Sequence, residues 1–281
     1  MPAFETPQPI TATVEVVMAD VRISAGDRPD TVVEVRPSDP SNAEDVRAAD
    51  GTRVEHADGR LLVKAPRLRS WSIRSAGGSI DVTVELPAGS RVRGSGQLAD
   101  FRCDGPLGDC EIKTGLGHIR IDHAGTLNLK SGAGDITVDR ATGHAEVTTG
   151  TGEVRLGDLE STAVIKNSNG DTWVGDAAGD LRLKTANGNV AIDLAHASVA
   201  AKTANGDLRL GEIVRGAAVL ETQIGDVEVG IREGTDAWLD VRAGAGKVRN
   251  ALESAGAPTS AAETVEVRAR TSLGEIVIGR P

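Results

Sequence analysis

The sequence predicts an all-β protein in which a single chain winds into a parallel β-solenoid (β-helix) with about 18 residues per turn. Three observations predict this fold: a recurring glycine-centred turn, aliphatic residues at constant offsets from that glycine, and few large aromatic rings. The turn glycines follow one another at intervals of 17, 18, 18, 18, 18, 19 and 21 residues, and they are Gly117, Gly134, Gly152, Gly170, Gly188, Gly206, Gly225 and Gly246. Such a constant period indicates a repeat architecture, and each repeat is called a rung below.

Aliphatic residues occupy four fixed positions in each rung. Counted from the glycine as position zero, they lie at −7, −5, +2 and +4, and thirty of the 32 such slots are apolar. Each pair of slots has the two-residue period of a strand. Every rung is therefore expected to contain one strand before the glycine and one after it, with a weaker inward slot at +7.

Two other β architectures fit the slots less well. An antiparallel meander would not keep equivalent residues in constant columns, and a left-handed hexapeptide helix would place an aliphatic residue every six positions. The offsets favour a right-handed coil. With two Phe, three Trp and no Tyr, its core is expected to be narrow and filled by Val, Ile, Leu and Ala.

The turn residues predict contacts along the coil axis. Asn169, Asn187 and Asn205 precede their glycines, and stacked Asn side chains are expected to hydrogen-bond as a ladder. Gly and Asn also tolerate positive φ at such corners. Thr, Ser or Asn at position −3 is expected to point inward, where it can satisfy nearby backbone groups.

The ends of the chain depart from the period. Residues 1–68 alternate like strands but do not follow the repeat, so they are expected to form an N-terminal β-strand cap packed on the solenoid of residues 69–281. Residues 250–264 are rich in Ala and Ser and are expected to form an inserted loop in a single structural unit. The rung around Gly274 is then expected to end the coil, with Arg280 and Pro281 blunting an open edge that invites self-association.

Several stretches carry a family resemblance. They are the opening VEVVMADVRISAGDRPDTVVEVRPSDP, the segment GRLLVKAPR, the rungs SGAGDITV and TANGDLRL, and the closing VEVRARTSLGEIVIGRP. Over nearly the whole chain, this organisation resembles a bacterial domain family of unknown function with β-strand repeats, catalogued as "putative adhesins". The resemblance implies a β-solenoid and offers no catalytic motif to transfer.

Charge and hydropathy limit the partners. The net charge of −10 disfavours nucleic acid and anionic membranes, because both attract clustered Lys and Arg. No apolar run reaches the roughly 18 residues of a membrane helix. The start, MPAFETPQPI, lacks the basic and apolar regions of a secretory signal. The chain is therefore expected to be cytoplasmic and not to insert into a membrane.

Two outward columns form the candidate interaction surface. Position −4 is repeatedly Lys and position +1 repeatedly acidic, and Trp173 points outward beside the acidic column. The residues singled out are Lys166, Lys184, Lys202, Asp171, Asp207 and Trp173. The competing interpretation is two solvated faces whose opposite charges offset each other.

Other chemistry is disfavoured. SGAGDIT (131–137) is similar to calcium-binding nonapeptides, but its period is 18 residues rather than nine. Sugar-cleaving β-helices need clustered carboxylates and aromatic platforms, which this chain does not show. Cys103 and Cys110 occupy inward slots and are expected to act as small hydrophobes rather than as a thiol pair or a metal site. No cofactor or metal is therefore expected.

The function that these observations favour is a non-catalytic structural scaffold, a rigid solenoid that binds a protein partner or assembles end to end with itself. The alternative is a surface adhesin or a carbohydrate-binding β-helix. The missing signal and the scarce aromatic residues disfavour that alternative.

Overall fold

In a computed structural model, residues 2–66, 78–252 and 263–281 are described. The chain divides into two compact units, Met1–Arg140 and Ala141–Pro281. Almost every regular element is a strand, and the one helix of the described residues lies in the first unit. Most of residues 250–264, the predicted inserted loop, lie outside the described residues.

The first unit contains one helix and eleven strands, and it shares a twelfth strand with the second unit. In chain order they are β1 (Ala3–Glu5), β2 (Thr11–Glu15), β3 (Met18–Gly26), β4 (Asp30–Pro37), α1 (Ala43–Asp50), β5 (Arg53–Ala57), β6 (Arg60–Lys64), β7 (Ile80–Pro87), β8 (Arg91–Pro106), β9 (Cys110–Leu116), β10 (Ile119–Ala124), β11 (Leu127–Ala133) and β12 (Ile136–Ala141).

Parallel ladders build this unit, and their order in space differs from their order in the chain. Strand β2 lies between β6 and β8, and β3 lies between β7 and β8. The rung made by β2 and β3 is therefore covered on one side by the later rung of β6 and β7. Beyond β8, the ladders continue in chain order through β9, β10 and β11.

Within residues 1–68, which the sequence predicts as a cap, the structure thus places β2 and β3 in a solenoid rung. Their alternate residues, such as Val14 and Val21, are fully buried between two neighbouring rungs. The outer rung is covered by antiparallel strands, with β5 on β6, β4 on β7 and β1 on β4.

Helix α1 packs against the start of β7. The Asn42 side chain caps its first turn by accepting a hydrogen bond from the Glu44 N–H at 2.9 Å. The buried Asp45 carboxylate accepts hydrogen bonds from the backbone N–H groups of Asp39 at 3.0 Å and Ser79 at 2.9 Å. The Ser79 bond ties the helix to the segment that leads into β7, and the helix also packs against β4.

The second unit contains the regular rungs. Its strands are β13 (Ala145–Thr151), β14 (Val154–Leu159), β15 (Ala163–Asn169), β16 (Thr172–Ala177), β17 (Leu181–Asn187), β18 (Val190–Ala195), β19 (Val199–Lys202), β20 (Leu208–Ile213), β21 (Gly216–Ile224), β22 (Val227–Ile231), β23 (Asp236–Ala245), β24 (Val248–Asn250), β25 (Thr264–Leu273) and β26 (Ile276–Gly279).

Two parallel ladders run through this unit. One joins β13, β15, β17, β19 and β21, and the other joins β14, β16, β18, β20 and β22. Equivalent positions pair, so that Leu183 at −5 lies between Ile165 and Ala201. The predicted parallel β-solenoid, with one strand on each side of the corner glycine, is confirmed. Its right-handed sense remains a prediction.

The last rungs of the second unit also change their order. Strand β25 pairs with β21 on one side and β23 on the other, and β26 lies between β22 and β24. The outermost rung is therefore β23 and β24, not the predicted rung around Gly274. Core residues of the C-terminal rung, such as Val267 and Ile276, are fully buried, whereas Val248 in the outer rung is 46 % exposed. The more aliphatic segment thus takes the position that is covered on both sides.

The buried columns are aliphatic, as predicted. From the Gly117 rung to the Gly206 rung, slots −7, −5, +2, +4 and +7 are filled by buried Val, Ile, Leu and Ala, with Cys110 at one −7 position and Thr172 at one +2 position. Among the described residues, Phe101 is the single buried aromatic side chain. A side chain at Gly94 would begin 2.6 Å from its ring, so this glycine makes room for it.

The corner glycines combine an unusual conformation with a close contact. Gly188 has φ +137° and Gly206 has φ +144°, values that L side chains rarely adopt. A Cβ atom at Gly188 would lie 2.2 Å from the Gly170 carbonyl oxygen of the preceding rung, and one at Gly206 would lie 2.1 Å from that of Gly188. Only glycine therefore allows the rungs to stack at this corner.

We expect Gly188→Ala to lower the free energy of unfolding by more than about 3 kcal/mol, because it adds a backbone clash to the strain of positive φ. Gly234→Ala is the control. Gly234 has φ +77° but no atom within 4 Å of the added Cβ, so we expect a loss of only about 1–2 kcal/mol. Urea unfolding of both variants measures the two losses of unfolding free energy. Equal losses would show that the close contact with the Gly170 carbonyl oxygen does not matter for stability.

Candidate interaction surface

The six predicted surface residues lie on two sides of the glycine corner. Strands β15, β17 and β19 carry the lysines before the corner, and β16 with the corner residues carries the others. The first group is Lys166, Lys184 and Lys202, and the second is Asp171, Asp207 and Trp173. The structure thus brings the three lysines together in one column. Asp171, Asp207 and Trp173 lie on the other side of the corner.

The acidic column ties successive rungs together. The Asp171 carboxylate accepts a hydrogen bond from the Asn189 backbone N–H at 2.8 Å, and that of Asp207 accepts one from the Asp226 N–H at 2.8 Å. Between them, the Asn189 side-chain oxygen accepts from the Asp207 N–H at 2.9 Å. Each of these three side chains at +1 thus satisfies a backbone donor of the next rung. This column has a structural role that its exposure alone does not reveal.

The predicted asparagine ladder is present. Asn187 donates from Nδ2 to Oδ1 of Asn169 at 2.8 Å, and Asn205 donates to Oδ1 of Asn187 at 2.8 Å. On the inner side of the same corner, the Thr203 hydroxyl donates to the Gly188 carbonyl at 3.3 Å. The predicted inward position of the −3 residues is confirmed, because the described members of this column are buried.

The lysine column is different, because most of its charge is unpaired. Lys166 lies opposite Lys184, and Lys184 lies opposite Lys202 in the parallel ladder. Lys202 forms an ion pair with Glu221 at 2.7 Å. No residue that the structure describes forms an ion pair with Lys166 or Lys184. Because they are stacked at the strand spacing, the charges of neighbouring lysines repel each other.

Arg182 belongs to the same surface. It lies two residues before Lys184 on β17, so both side chains leave the same face of the strand, and both are exposed. Its ladder neighbours are Val164 and Ala200, and it has no ion-pair partner among the described residues. The sequence columns did not single it out, because position −6 is not repeatedly basic. Lys166, Arg182, Lys184 and Lys202 are called the basic face below.

Trp173 is held against its own sheet. Its indole nitrogen donates to the Asp193 carboxylate at 3.3 Å, and the side chain is half-buried. The ring lies beside Gly175, where an added Cβ would approach it to 3.2 Å. Its ladder neighbour Ala191 is also small. These contacts make Trp173 a cover for its own sheet rather than a member of the basic face.

The two cysteines lie in the core of the first unit. Both are free and buried, as their inward slots predicted. Burial raises the pKa of the Cys110 thiol to about 12, with the Asp109 charge adding to the effect. Burial also raises the pKa of Cys103 well above its ordinary value. Both side chains are therefore neutral near pH 8 and pack as small apolar groups.

Within the described residues, no group of three or more His, Cys, Asp or Glu side chains is placed to hold a metal ion. No helix in the part of the chain that the structure describes is long and apolar enough to cross a membrane.

Stacked parallel rungs, a glycine corner and side-chain ladders along the axis define a β-solenoid repeat protein. The chain belongs to the Toastrack DUF4097 family, which it matches over residues 12–278. This membership confirms the resemblance inferred from the sequence. No curated protein matches the chain.

Several solved structures are similar to this chain at low identity. One is a "putative cell adhesion protein" from Clostridium sporogenes, with 12 % identity, coverage of 99 % of this chain and 94 % of that chain, and a TM-score of 0.23. A "putative adhesin" from Parabacteroides distasonis has 13 % identity, coverage of 98 % and 95 %, and a TM-score of 0.32. A "putative adhesin" from Bacteroides fragilis has 12 % identity, coverage of 99 % and 95 %, and a TM-score of 0.35.

We expect Asp207→Ala to lower the free energy of unfolding by about 1–2 kcal/mol, because the Asp226 N–H loses its acceptor. Asp207→Asn keeps an acceptor oxygen and should cost less than half as much. Chemical unfolding of both variants measures the effect. Equal stability of Asp207→Ala and the unmodified protein would contradict the structural role of the acidic column.

We expect neither thiol of the folded protein to react with a disulfide reagent at pH 8, because burial keeps Cys103 and Cys110 neutral and out of reach. Both should react fully once the chain is unfolded in guanidinium. The measurement is thiol titration by absorbance with and without denaturant. Stoichiometric labelling of the folded protein would show that the core of the first unit opens there.

Proposed function

We propose that this protein is a non-catalytic interaction scaffold and that its basic face binds an acidic, extended segment of a partner protein. The observation that supports the proposal is the unpaired charge of Lys166, Arg182 and Lys184. Elsewhere on the surface, exposed cations commonly have carboxylates beside them, as in the pairs Arg155–Glu153 at 2.7 Å and Arg249–Glu275 at 3.2 Å. Among the described residues, the acidic neighbours of the basic face stand at its edges, where Glu221 contacts Lys202 and Glu146 on β13 lies beside Val164.

The geometry of the sheet favours an extended partner. Along β17, Arg182 and Lys184 are two residues apart, which places their Cα atoms about 6.6 Å from each other. An extended chain also repeats its side chains on one face at that distance. Alternate Asp or Glu residues of such a segment therefore match the spacing of the cations. Across the ladder, Lys166 and Lys202 extend the same charge to neighbouring rungs.

A neighbouring carboxylate also relieves an existing repulsion. Lys166, Lys184 and Lys202 are stacked at strand spacing, and each bound carboxylate offsets part of the repulsion between them. The protein as a whole carries a net charge of −10, so its overall charge repels acidic partners. An acidic segment that binds it is therefore attracted by the local charge of the basic face.

Carbohydrate binding draws no support from this face. Sugar rings usually stack on aromatic side chains, and the described aromatic residues do not lie on β15, β17 or β19.

The double variant Lys166→Glu/Lys184→Glu tests the proposal. A fluorescent poly-L-glutamate peptide serves as the probe, and its anisotropy is measured against protein concentration at low ionic strength. We expect the unmodified protein to bind the probe, and we expect the double variant to bind at least tenfold more weakly. Binding should also weaken as salt is added, because these charges are exposed.

Arg155→Glu/Arg209→Glu is the matched control. It changes the net charge by the same amount, but its residues lie on β14 and β20, outside the basic face. We expect it to retain most of the binding. Equal loss in both double variants would show that only net charge matters, and no binding by the unmodified protein would overturn the proposal. Far-ultraviolet circular dichroism confirms that each variant is folded.

A further inference from the structure

Within the described residues, the outermost rung of the second unit presents a sheet edge that has no partner strand. Among the described residues, β23 pairs with β25 alone and β24 with β26 alone. The outer rung of the first unit is different, since antiparallel strands β4 and β5 cover it. Open strand edges recruit other strands, and natural proteins usually block them.

Apolar side chains are exposed around this edge. Trp238 on β23 is 57 % exposed, and Val248 on β24 is 46 % exposed. On the next two rungs inward, Leu273 and Ile224 lie opposite each other in the ladder and are 53 % and 52 % exposed. Trp238 and Val248 thus leave apolar surface exposed on the outermost rung, and Leu273 and Ile224 leave more beside the corner of the two rungs beneath it.

The backbone of β23 is oriented for pairing. The Asp236 N–H donates to the Glu263 carbonyl beside β25 at 2.9 Å. Because successive residues of a strand direct their N–H and C=O groups to opposite sides, Asp240 and Arg242 also face β25. Leu239, Val241 and Ala243 then direct their N–H and C=O groups to the open edge.

We propose that a second copy of this chain occupies the edge, with the two β23 strands paired antiparallel about a two-fold axis at Val241. The charges along β23 favour this register over the registers centred on residue 240 or 242. It places Asp240 opposite Arg242 of the second copy, and the two-fold axis repeats that pair. A register centred on residue 240 or 242 would instead place like charges opposite each other, which destabilises a sheet.

The same register also fits the apolar residues. Trp238 lies opposite Gly244 of the second copy, and the missing side chain leaves room for the indole ring. Leu239 lies opposite Ala243 of the second copy, so the inward column continues across the interface. A closed two-fold contact uses the same strand from both copies, and it leaves no further β23 edge free.

This inference is independent of the proposed function. The basic face lies on β15, β17 and β19, whereas the edge is formed by β23. A failure of one proposal therefore leaves the other intact.

Complementation between two charge variants tests the register. In Asp240→Arg, both positions 240 and 242 are basic, and in Arg242→Asp both are acidic. Either variant alone brings like charges together in the dimer, whereas a one-to-one mixture forms two attractive pairs. We expect sedimentation equilibrium to give a dimer for the unmodified protein, a dissociation constant at least tenfold higher for each variant alone, and a restored dimer for the mixture.

Within one chain, Asp240 also contacts Arg242 at 3.4 Å and Arg270 at 3.5 Å, so each variant is first checked for folding. A second variant, Ala243→Pro, removes an edge-facing N–H without removing a bond to β25, and we expect it to be monomeric. Lys184→Glu, on the basic face, should dimerise normally. A monomeric unmodified protein at high concentration, a mixture that stays dissociated, or open-ended oligomers would overturn the proposal.

Discussion

The glycine corner is the constraint on which the rest of the second unit depends. At this corner, the carbonyl oxygen of one glycine fills the space that a Cβ atom would take on the corner glycine of the next rung. The φ angle of these glycines lies near +140°. The contact fixes how closely two rungs approach and which residues face each other. The asparagine ladder, the carboxylate bonds to the next rung and the buried aliphatic columns all follow from that register.

The periodic part of the fold could be predicted from the sequence because each rung repeats the same local rule. Slots such as Leu183 and Val190 have the strand period, and the corner glycine fixes where that period restarts. The spatial order of the end rungs could not be predicted in this way. Any aliphatic rung can stack on any other, so the choice depends on which segment gains more from being covered on both sides. The sequence feature that indicated the outermost rung was Asn250, a polar residue in the +4 slot two residues after Val248.

The candidate surface was predicted only in part. The lysine column follows directly from the period, but Arg182 stands alone in its column, and only the ladder shows that it adjoins Lys184. The carboxylates of Asp171 and Asp207 looked equally available in the sequence. Their bonds require that a backbone N–H of the next rung lies within reach of the carboxylate, and the corner geometry sets that distance. Periodicity therefore shows which side chains face outward, and the structure shows which of them are already engaged.

The exchanged order of the end rungs affects how the chain folds and unfolds. The first and last rungs in the sequence, β2–β3 and β25–β26, are each enclosed between two other rungs. Removing either rung from its unit must therefore separate two ladders at once. Strands β25 and β26 follow β23 and β24 in the chain, yet they lie between β21–β22 and β23–β24, so they pair with a rung that is not their neighbour in the sequence. Pairing of this kind between segments that are distant in the sequence slows folding.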